Sequence, residues 1–322
     1  MRIELQKISE AIQASQQIVI FTHVSVDGDC LGSSIALALA LTSMNKQVHI
    51  LSEAPVPGSL EFLPGKEFVV KQLPENFKPD LSISVDCGDK ERFIDREAVY
   101  DSAEITANID HHRTNIGFAK LNCVDKHRSS TAELVFELIK GLSAEVTAEI
   151  ATCIYVGLVT DTGGFRFGNT NAETHMCAAE LLGYGIDVAS ISEECFNYTT
   201  ESILRLKVRA LNSLQLEYEK RLAIVTVRET DFIECGADKS ETEGFADFGR
   251  ALSTVVASVC LREFEKNKIR VSMRSKGDYN VAKIATNFGG GGHINAAGCS
   301  IDDTLENAKA RIIAAFEDLK NR

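Results

Sequence analysis

The chain has 322 residues, 44% of them hydrophobic, which is enough for two domains with proper cores. Its net charge of −12 is uneven: residues 1–211 hold 18 Lys and Arg against 29 Asp and Glu, and residues 212–322 hold 16 against 17. That balance argues against gripping long DNA or RNA by counterion release and leaves short or small phosphorylated ligands open; no apolar run approaches the roughly 18 residues of a membrane span.

The opening MRIELQKISEAI reads as an amphipathic charged helix and not as a signal peptide. Nine cysteines without a CxxC pair read as free thiols, which points to the cytoplasm. A buried strand is predicted at Ile18, Val19, Ile20 and Phe21, followed by a loop with His23, Asp27 and Asp29, then a helix from near Leu31. Gly28 is expected to let the backbone turn between the two carboxylates. Imidazole plus carboxylates at the carboxyl end of a strand suits Mn²⁺, Zn²⁺ or Fe²⁺, although a polar loop with an Asx turn has the same composition.

A second strand follows at 47–51, and a Pro- and Gly-punctuated loop at 55–64. Strand 81–85 ends in Asp86-Cys87-Gly88-Asp89, and strand 104–109 ends in Asp110-His111-His112. Three strands thus deliver acids or histidines at their C-terminal ends, which argues for one shared site, because parallel strands of a sheet end on the same side. Ser130 and Glu133 fit a capping box opening a helix. A longer apolar helix, 144–160, runs into Asp161, where a carboxylate opposes the helix dipole unless a cation is near. Helices are predicted over 171–183, 187–197 and 199–214, the last carrying Leu204, Val208 and Leu211 on one face as a connector. Strands follow at 222–227, 254–263 and 268–274, with helices around Asp247 and Val281. A glycine loop, Gly289-Gly290-Gly291-Gly292-His293, precedes a final strand and helix. Six basic residues against two acids lie between Arg262 and Lys276, a locally positive strand pair. His49, His127 and His175 fall in no motif and read as surface or satisfied histidines.

Taken together, His23-x-x-x-Asp27-Gly-Asp29, Val85-Asp86, Asp110-His111-His112, Thr160-Asp161-Thr162-Gly163 and the glycine–histidine loop with Ala296-Ala297-Gly298 resemble the DHH phosphoesterase superfamily. They look closest to its RecJ-like branch of short-oligoribonucleotide exonucleases that also dephosphorylate 3′-phosphoadenosine 5′-phosphate. The resemblance covers nearly the whole chain. It implies an α/β fold: a mostly parallel N-terminal sheet with flanking helices (1–190), a helical linker (191–213) and a smaller α/β substrate domain (214–322).

It also implies two manganese ions, with Mg²⁺ or Co²⁺ as substitutes. His23 and Asp27 would hold one ion and Asp29, His111 and Asp161 the other, with Asp86 bridging. Asp110 and His112 would orient the ligands by hydrogen bonds and join Asp86 among the catalytic residues. Arg274, Ser275, Gly290, Gly291, Gly292 and His293 would bind substrate, with Lys276 and the segment Glu243-Gly244-Phe245 nearby. Short single-stranded RNA or a nucleoside bisphosphate is the implied ligand, with no long duplex and no membrane, and homodimerisation is left open. Without metal, converging carboxylates would repel one another and bind protons more tightly. Cys30 and Cys87 depart from the pattern, at positions the family fills with small apolar and Thr residues. Packing is the simplest account of both, with a bias toward softer metals as the alternative. Competing readings are a linear or cyclic dinucleotide phosphodiesterase with the same metal site, a manganese pyrophosphatase, and a nucleotide-sensing module with an inactive site. A full RecJ-type DNA exonuclease is disfavoured by length.

Overall fold

The computed structural model describes every residue except Met1, Ser240, Glu241, Glu243 and Arg322. The chain divides into two compact units, Met1–Tyr198 and Thr199–Arg322. By sequence the first carries 15 Lys and Arg against 28 Asp and Glu and the second 19 against 18, so the acidity belongs to the first unit alone.

The first unit runs α1 (Ile3–Ala14), β1 (Gln17–Phe21), α2 (Gly28–Ser43), β2 (Gln47–Leu51), β3 (Val69–Val70), β4 (Leu81–Val85), α3 (Glu97–Asp101), β5 (Ile105–Asp110), β6 (Leu121–Val124), α4 (Thr131–Gly141), α5 (Ala148–Asp161), α6 (Ala172–Leu182) and α7 (Val188–Ser192). Its six strands form one parallel sheet in the order β3-β2-β1-β4-β5-β6. All five residues of β4 are buried, as expected for a central strand covered on both faces. The order reverses between β1 and β4, and at such a switch point a crevice opens beyond the strand ends. His23 follows β1 and Asp86 follows β4, so both stand at that crevice. The short strands β3 and β6 and the helix α3 carry no pattern strong enough to be read from sequence.

The second unit runs α8 (Glu201–Asn212), β7 (Gln215–Glu217), β8 (Leu222–Val227), α9 (Glu229–Cys235), β9 (Ala257–Glu265), β10 (Lys268–Ser275), α10 (Val281–Thr286), β11 (Gly291–His293), β12 (Ala296–Asp302) and α11 (Leu305–Ala315). The sheet order is β11-β12-β10-β9-β8-β7, antiparallel except for the β8–β9 pair. One face packs Ile269, Val271 and Met273 against Ile284, Ile312 and Phe316, and the other packs Val225, Val227 and Cys260 against Leu206, Ala210 and Phe245. The helix expected within a connector is therefore packed into this unit through Leu206 and Ala210. Around Asp247 the chain makes two short 3₁₀ turns, Phe245–Asp247 and Gly249–Ala251. Half of the glycine loop pairs as a strand: Gly291, Gly292 and His293 align with Gly298, Ala297 and Ala296. Among the described residues no helix is long and apolar enough to cross a membrane.

Candidate metal centre

The first unit brings His23, Asp27, Asp29, Asp86, Asp110, His111, His112 and Asp161 together at the carboxyl ends of its strands. Asp86 is the residue they share. Its Oδ2 lies 3.6 Å from His23 Nε2, while its Oδ1 lies 3.6 Å from His111 Nε2 and 3.5 Å from His112 Nδ1. On one side His23 Nε2 is 3.7 Å from Asp27 Oδ2; on the other, His111 Nε2 is 3.9 Å from Asp29 Oδ2 and 3.5 Å from Asp161 Oδ2. Asp86 holds a left-handed backbone (φ 58°), which aspartate tolerates better than a β-branched residue, while its N–H still donates to Ile109 O.

The imidazoles are oriented from behind. His23 Nδ1 is 2.6 Å from Val24 O and His111 Nδ1 is 3.3 Å from Arg128 O. An N–H donated to each carbonyl puts a proton on Nδ1 and turns Nε2 toward the carboxylates, the orientation a metal needs. Arg92 Nη2 also lies 3.0 Å from His23 Nδ1, but the shorter carbonyl contact places the proton, and Arg92 turns to Val24 O at 3.4 Å. His112 Nδ1 bonds Asp110 Oδ1 at 2.7 Å, and Asn115 Nδ2 donates to Asp110 Oδ2 at 2.6 Å. Asp110 is thus buried behind the histidines rather than facing the crevice.

Asp29 corrects two expectations. It lies in the first turn of α2, not on the loop, and Asp27 caps that helix by accepting from Cys30 N at 3.0 Å. It also replaces the capping box expected at Ser130: Thr131 N donates to Asp29 Oδ2 at 2.7 Å and Ala132 N to Asp29 Oδ1 at 2.9 Å. Ser130 Oγ is buried and has no hydrogen-bond partner among the described residues, and Glu133 accepts instead from Ser129, Arg128 and Thr174. Two carboxyl oxygens at the positive end of α4, each accepting a backbone N–H, outcompete a single hydroxyl. Gly28 is needed for space and not for a left-handed turn, because a Cβ there would stand 2.5 Å from Thr160 Oγ1.

Electrostatics mark the cluster as short of positive charge. Burial pushes the Asp29 carboxyl well above its ordinary value, and Asp86, Asp161 and Asp27 add to the rise. Asp161 is pushed up to about 7 chiefly by burial, against the attraction of His111 and His112 and with repulsion from Asp86 and Asp27 adding to the rise. The expected mutual repulsion does not reach every acid. Partial desolvation of Asp27 is overcome by its attraction to His23, and burial of Asp110 by its hydrogen bond to His112, and both are lowered. Desolvation disfavours the charged His112, yet Asp110 and Asp86 raise it. The donor sets His23–Cys30–Asp86, Asp86–His111–His112 and Asp29–His111–Asp161 each gather ligand atoms within 4.8 Å, so the residues fit divalent ions.

Residues 17–158 match the DHH family, N-terminal domain, and residues 220–321 match the DHHA1 domain. The chain is 34% identical over 318 residues to a protein of Thermus thermophilus named bifunctional oligoribonuclease and PAP phosphatase NrnA, covering 98% of this chain and 94% of that one. The chain belongs to the DHH family. A solved structure of an exopolyphosphatase-related protein from Bacteroides fragilis superposes with a TM-score of 0.91 at 30% identity, covering 99% of this chain and 96% of that one. A protein of Listeria monocytogenes named cyclic-di-AMP phosphodiesterase PdeA is 28% identical over 98% of this chain, which spans 50% of that protein. As a DHH protein the chain is a hydrolase of phosphoester bonds, in a family that uses divalent metals.

Sequence reasoning missed several supports of this DHH centre. Thr131 Oγ1 donates to Asp86 Oδ1 at 2.8 Å, although Thr131 reads in sequence only as the start of a helix. Asn115 reads as an ordinary loop residue, yet it bonds Asp110 and Asn108. Arg96, buried, donates to the carbonyls of Phe93, Leu51 and Thr22 and so anchors the chain just before His23. Cys30 and Cys87 are buried, with their thiols 3.5 Å from Val85 O and 3.1 Å from Asp89 O. His49 packs edge-on to Phe77 and His175 stacks on Phe165, as satisfied histidines do.

The expected substrate residues all lie in the second unit. Arg274, on β10, donates to Met273 O at 3.1 Å and lies 3.8 Å from Asp247. His293, Gly291 and Gly292 are exposed, and Gly290 leaves no room for a side chain, since a Cβ would meet Gly298 O at 2.1 Å. Ser275 is buried, and its hydroxyl donates to Tyr279 O at 2.6 Å, so its polar group is committed inside the fold. Lys276 Nζ donates to Leu252 O at 2.6 Å. Glu243 lies outside the described residues; its neighbour Phe245 is fully buried.

Proposed function

We propose that this DHH protein is a manganese-dependent phosphohydrolase that cleaves short oligoribonucleotides to mononucleotides and removes phosphate from 3′-phosphoadenosine 5′-phosphate. The observation that carries the reading is Asp86, whose two oxygens face two separate histidine–carboxylate groups. His23 and Asp27 would hold one ion, Asp29, His111 and Asp161 the other, and Asp86 both. When bound, the ions supply an activated water and neutralise charge on the phosphate. The chain does the rest. Val24 O and Arg128 O fix the ligand imidazoles, and the α4 N-terminus and Thr131 hold Asp29 and Asp86 in place. Asp110 raises the proton affinity of His112, and once protonated His112 would have its Nε2–H available to donate to a phosphoryl or leaving oxygen. Arg274 and the backbone N–H groups near His293 would hold a phosphate and a base.

The preference for short ligands follows from charge. A long strand would carry many phosphates past a unit with 28 acids against 15 basic residues, within a screening distance of about 8–10 Å. The deciding experiment measures kcat/KM with Mn²⁺ at fixed salt on RNAs of two to fifteen nucleotides, the bisphosphate and cyclic dinucleotides. Efficiency is expected to fall with length, and Asp86→Ala is expected to abolish turnover while circular dichroism stays unchanged. Efficiency that rises steadily with length would refute the reading. The similarity to PdeA favours cyclic dinucleotides as the second reading, and it wins if they are the better substrates.

A further inference from the structure

The proposed function leaves one cavity of the first unit without a task. Its volume of about 530 Å³ is within the range of small-molecule sites, and it opens between the loop after β5, the end of β6 and the start of α1. His112 lines it at one end, so the cavity adjoins the metal centre. Because Asp110 takes Nδ1 of that ring at 2.7 Å, Nε2 is the nitrogen left for a ligand. The walls are fixed from within. Asn115 Nδ2 donates to Asn108 Oδ1 at 2.7 Å and to Asp110 Oδ2 at 2.6 Å, and its Oδ1 accepts from Gly117 N at 2.8 Å. On the other side Arg2 Nη1 donates to Asp125 Oδ2 at 2.6 Å.

The charge of this cavity reverses that of the unit around it. Arg2, Arg113 and Lys126 line it together with Glu4 and Asp125, and Arg2 is paired with Asp125. That leaves Arg113 and Lys126 against Glu4, in a unit with 28 acids against 15 basic residues. Arg113 and Lys126 are exposed, and Ile116 on the same lining is 95% exposed. A planar guanidinium can stack on a base, an aliphatic side chain offers apolar surface to a base or ribose, and an ammonium is a compact charge for a phosphate. A nucleotide combines the three.

We propose that this cavity binds the nucleoside on the far side of the scissile phosphate, the group that an oligonucleotide has and 3′-phosphoadenosine 5′-phosphate lacks. This rests on the phosphohydrolase reading, in which Arg274 and the loop near His293 hold the other nucleotide. The scissile phosphate would sit at the His112 end, the base against Arg113 and Ile116, and the next phosphate of a longer strand at Lys126. A cavity of this size takes one nucleoside, and walls already held by Asn115 and Arg2 need little ordering when it binds. One metal centre then acts as a phosphatase when the cavity is empty and as a nuclease when it is filled.

The test compares full-length wild type with the double variant Arg113→Ala/Ile116→Ser, in Mn²⁺, on two substrates. The dinucleotide pApA is 3′-phosphoadenosine 5′-phosphate with one adenosine added on its 3′-phosphate, so the pair differs only in the group the cavity would bind. The variant's kcat/KM on pApA is expected to fall by about tenfold or more, through KM, as for one lost stacking contact, while its value on the bisphosphate stays within about twofold of wild type. A loss on both substrates alike, or on neither, would overturn the proposal. Lys126→Ala should leave pApA unchanged and weaken pApApA. Its slope of log KM against log salt on pApApA should shrink by about 0.7, the value for one lost phosphate contact on a single strand, and an unchanged slope would refute the strand's path past Lys126. If the wild type cleaves neither substrate, the proposed function fails on its own, and melting in Mn²⁺ then reads the cavity. There pApA should raise the wild-type Tm more than the bisphosphate does, and the double variant should lose that excess. An excess that the variant keeps, or none in the wild type, would sink the cavity site as well.

Discussion

Thr131→Val isolates one hydrogen bond to the residue on which the metal centre turns. Valine keeps the β-branched shape, the start of α4 and the backbone N–H that binds Asp29 at 2.7 Å. It removes only the hydroxyl donated to Asp86 Oδ1 at 2.8 Å. A hydrogen bond to a charged group contributes about 1.5–3 kcal/mol, which converts to about 10- to 150-fold in affinity. The range for partners that orient metal ligands, roughly 10- to 100-fold, is reached independently and agrees. Metal affinity, read from the Mn²⁺ dependence of turnover on a dinucleotide, should therefore weaken by one to two orders of magnitude. Fold stability in EDTA should fall by a similar amount, about 1.5–3 kcal/mol at most, because one buried hydrogen bond is lost and no cavity is opened. Thr131→Ser, which keeps the hydroxyl, should stay within a few-fold of wild type. A valine variant with wild-type Mn²⁺ dependence would show that Thr131 does not hold Asp86.

Two further outcomes follow from the same geometry. Asp161, pushed up to about 7, binds a proton in the folded, metal-free state that the unfolded chain releases near 4, so its stabilising contribution is present at low pH and is lost as pH rises toward 7. Raised Asp29 and His112 act in the same direction, and lowered Asp27 and Asp110 act only in the acid range. The Tm in EDTA should thus fall from pH 5 to pH 8 while the gain on adding Mn²⁺ grows; melts in which that gain shrinks with pH would contradict the carboxylate cluster. Gly28→Ala should cost about 1–3 kcal/mol, because its Cβ meets Thr160 at 2.5 Å and a β-branched side chain in a helix has little freedom to move aside. Adding Thr160→Ala, which removes the two nearest atoms but keeps a Cβ at 2.9 Å, should recover part of the loss in urea unfolding, and a single variant as stable as wild type would refute the close contact.

Much of this protein is legible in one dimension. The short segments at 18–21, 81–85 and 104–109, rich in Ile and Val and ending in polar loops, read as buried strands, and parallel strands point their ends one way. From that alone His23, Asp86 and Asp110 had to converge, and the ordered motifs around them mark the family. Local periodicity also located α5 and placed Asp161 at its carboxyl end.

What tertiary structure decided is which partner each polar group chose. Ser130 and Glu133 satisfy a local capping rule, yet Asp29, some 100 residues away, takes the α4 N-terminus because two carboxyl oxygens, each accepting a backbone N–H, outcompete a single hydroxyl. Gly28 looks like a turn residue but is constrained by Thr160, a neighbour no local pattern can name. Thr131, Asn115 and Arg96 carry no motif, since their roles depend on carbonyls and carboxylates brought in from other elements. Ser275 sits beside Arg274 in sequence, but strand alternation sends their side chains to opposite faces, one to an internal hydrogen bond and one to the sheet's basic face. Short-range pattern determines elements and the ends they present; long-range packing determines which of the groups at those ends meet.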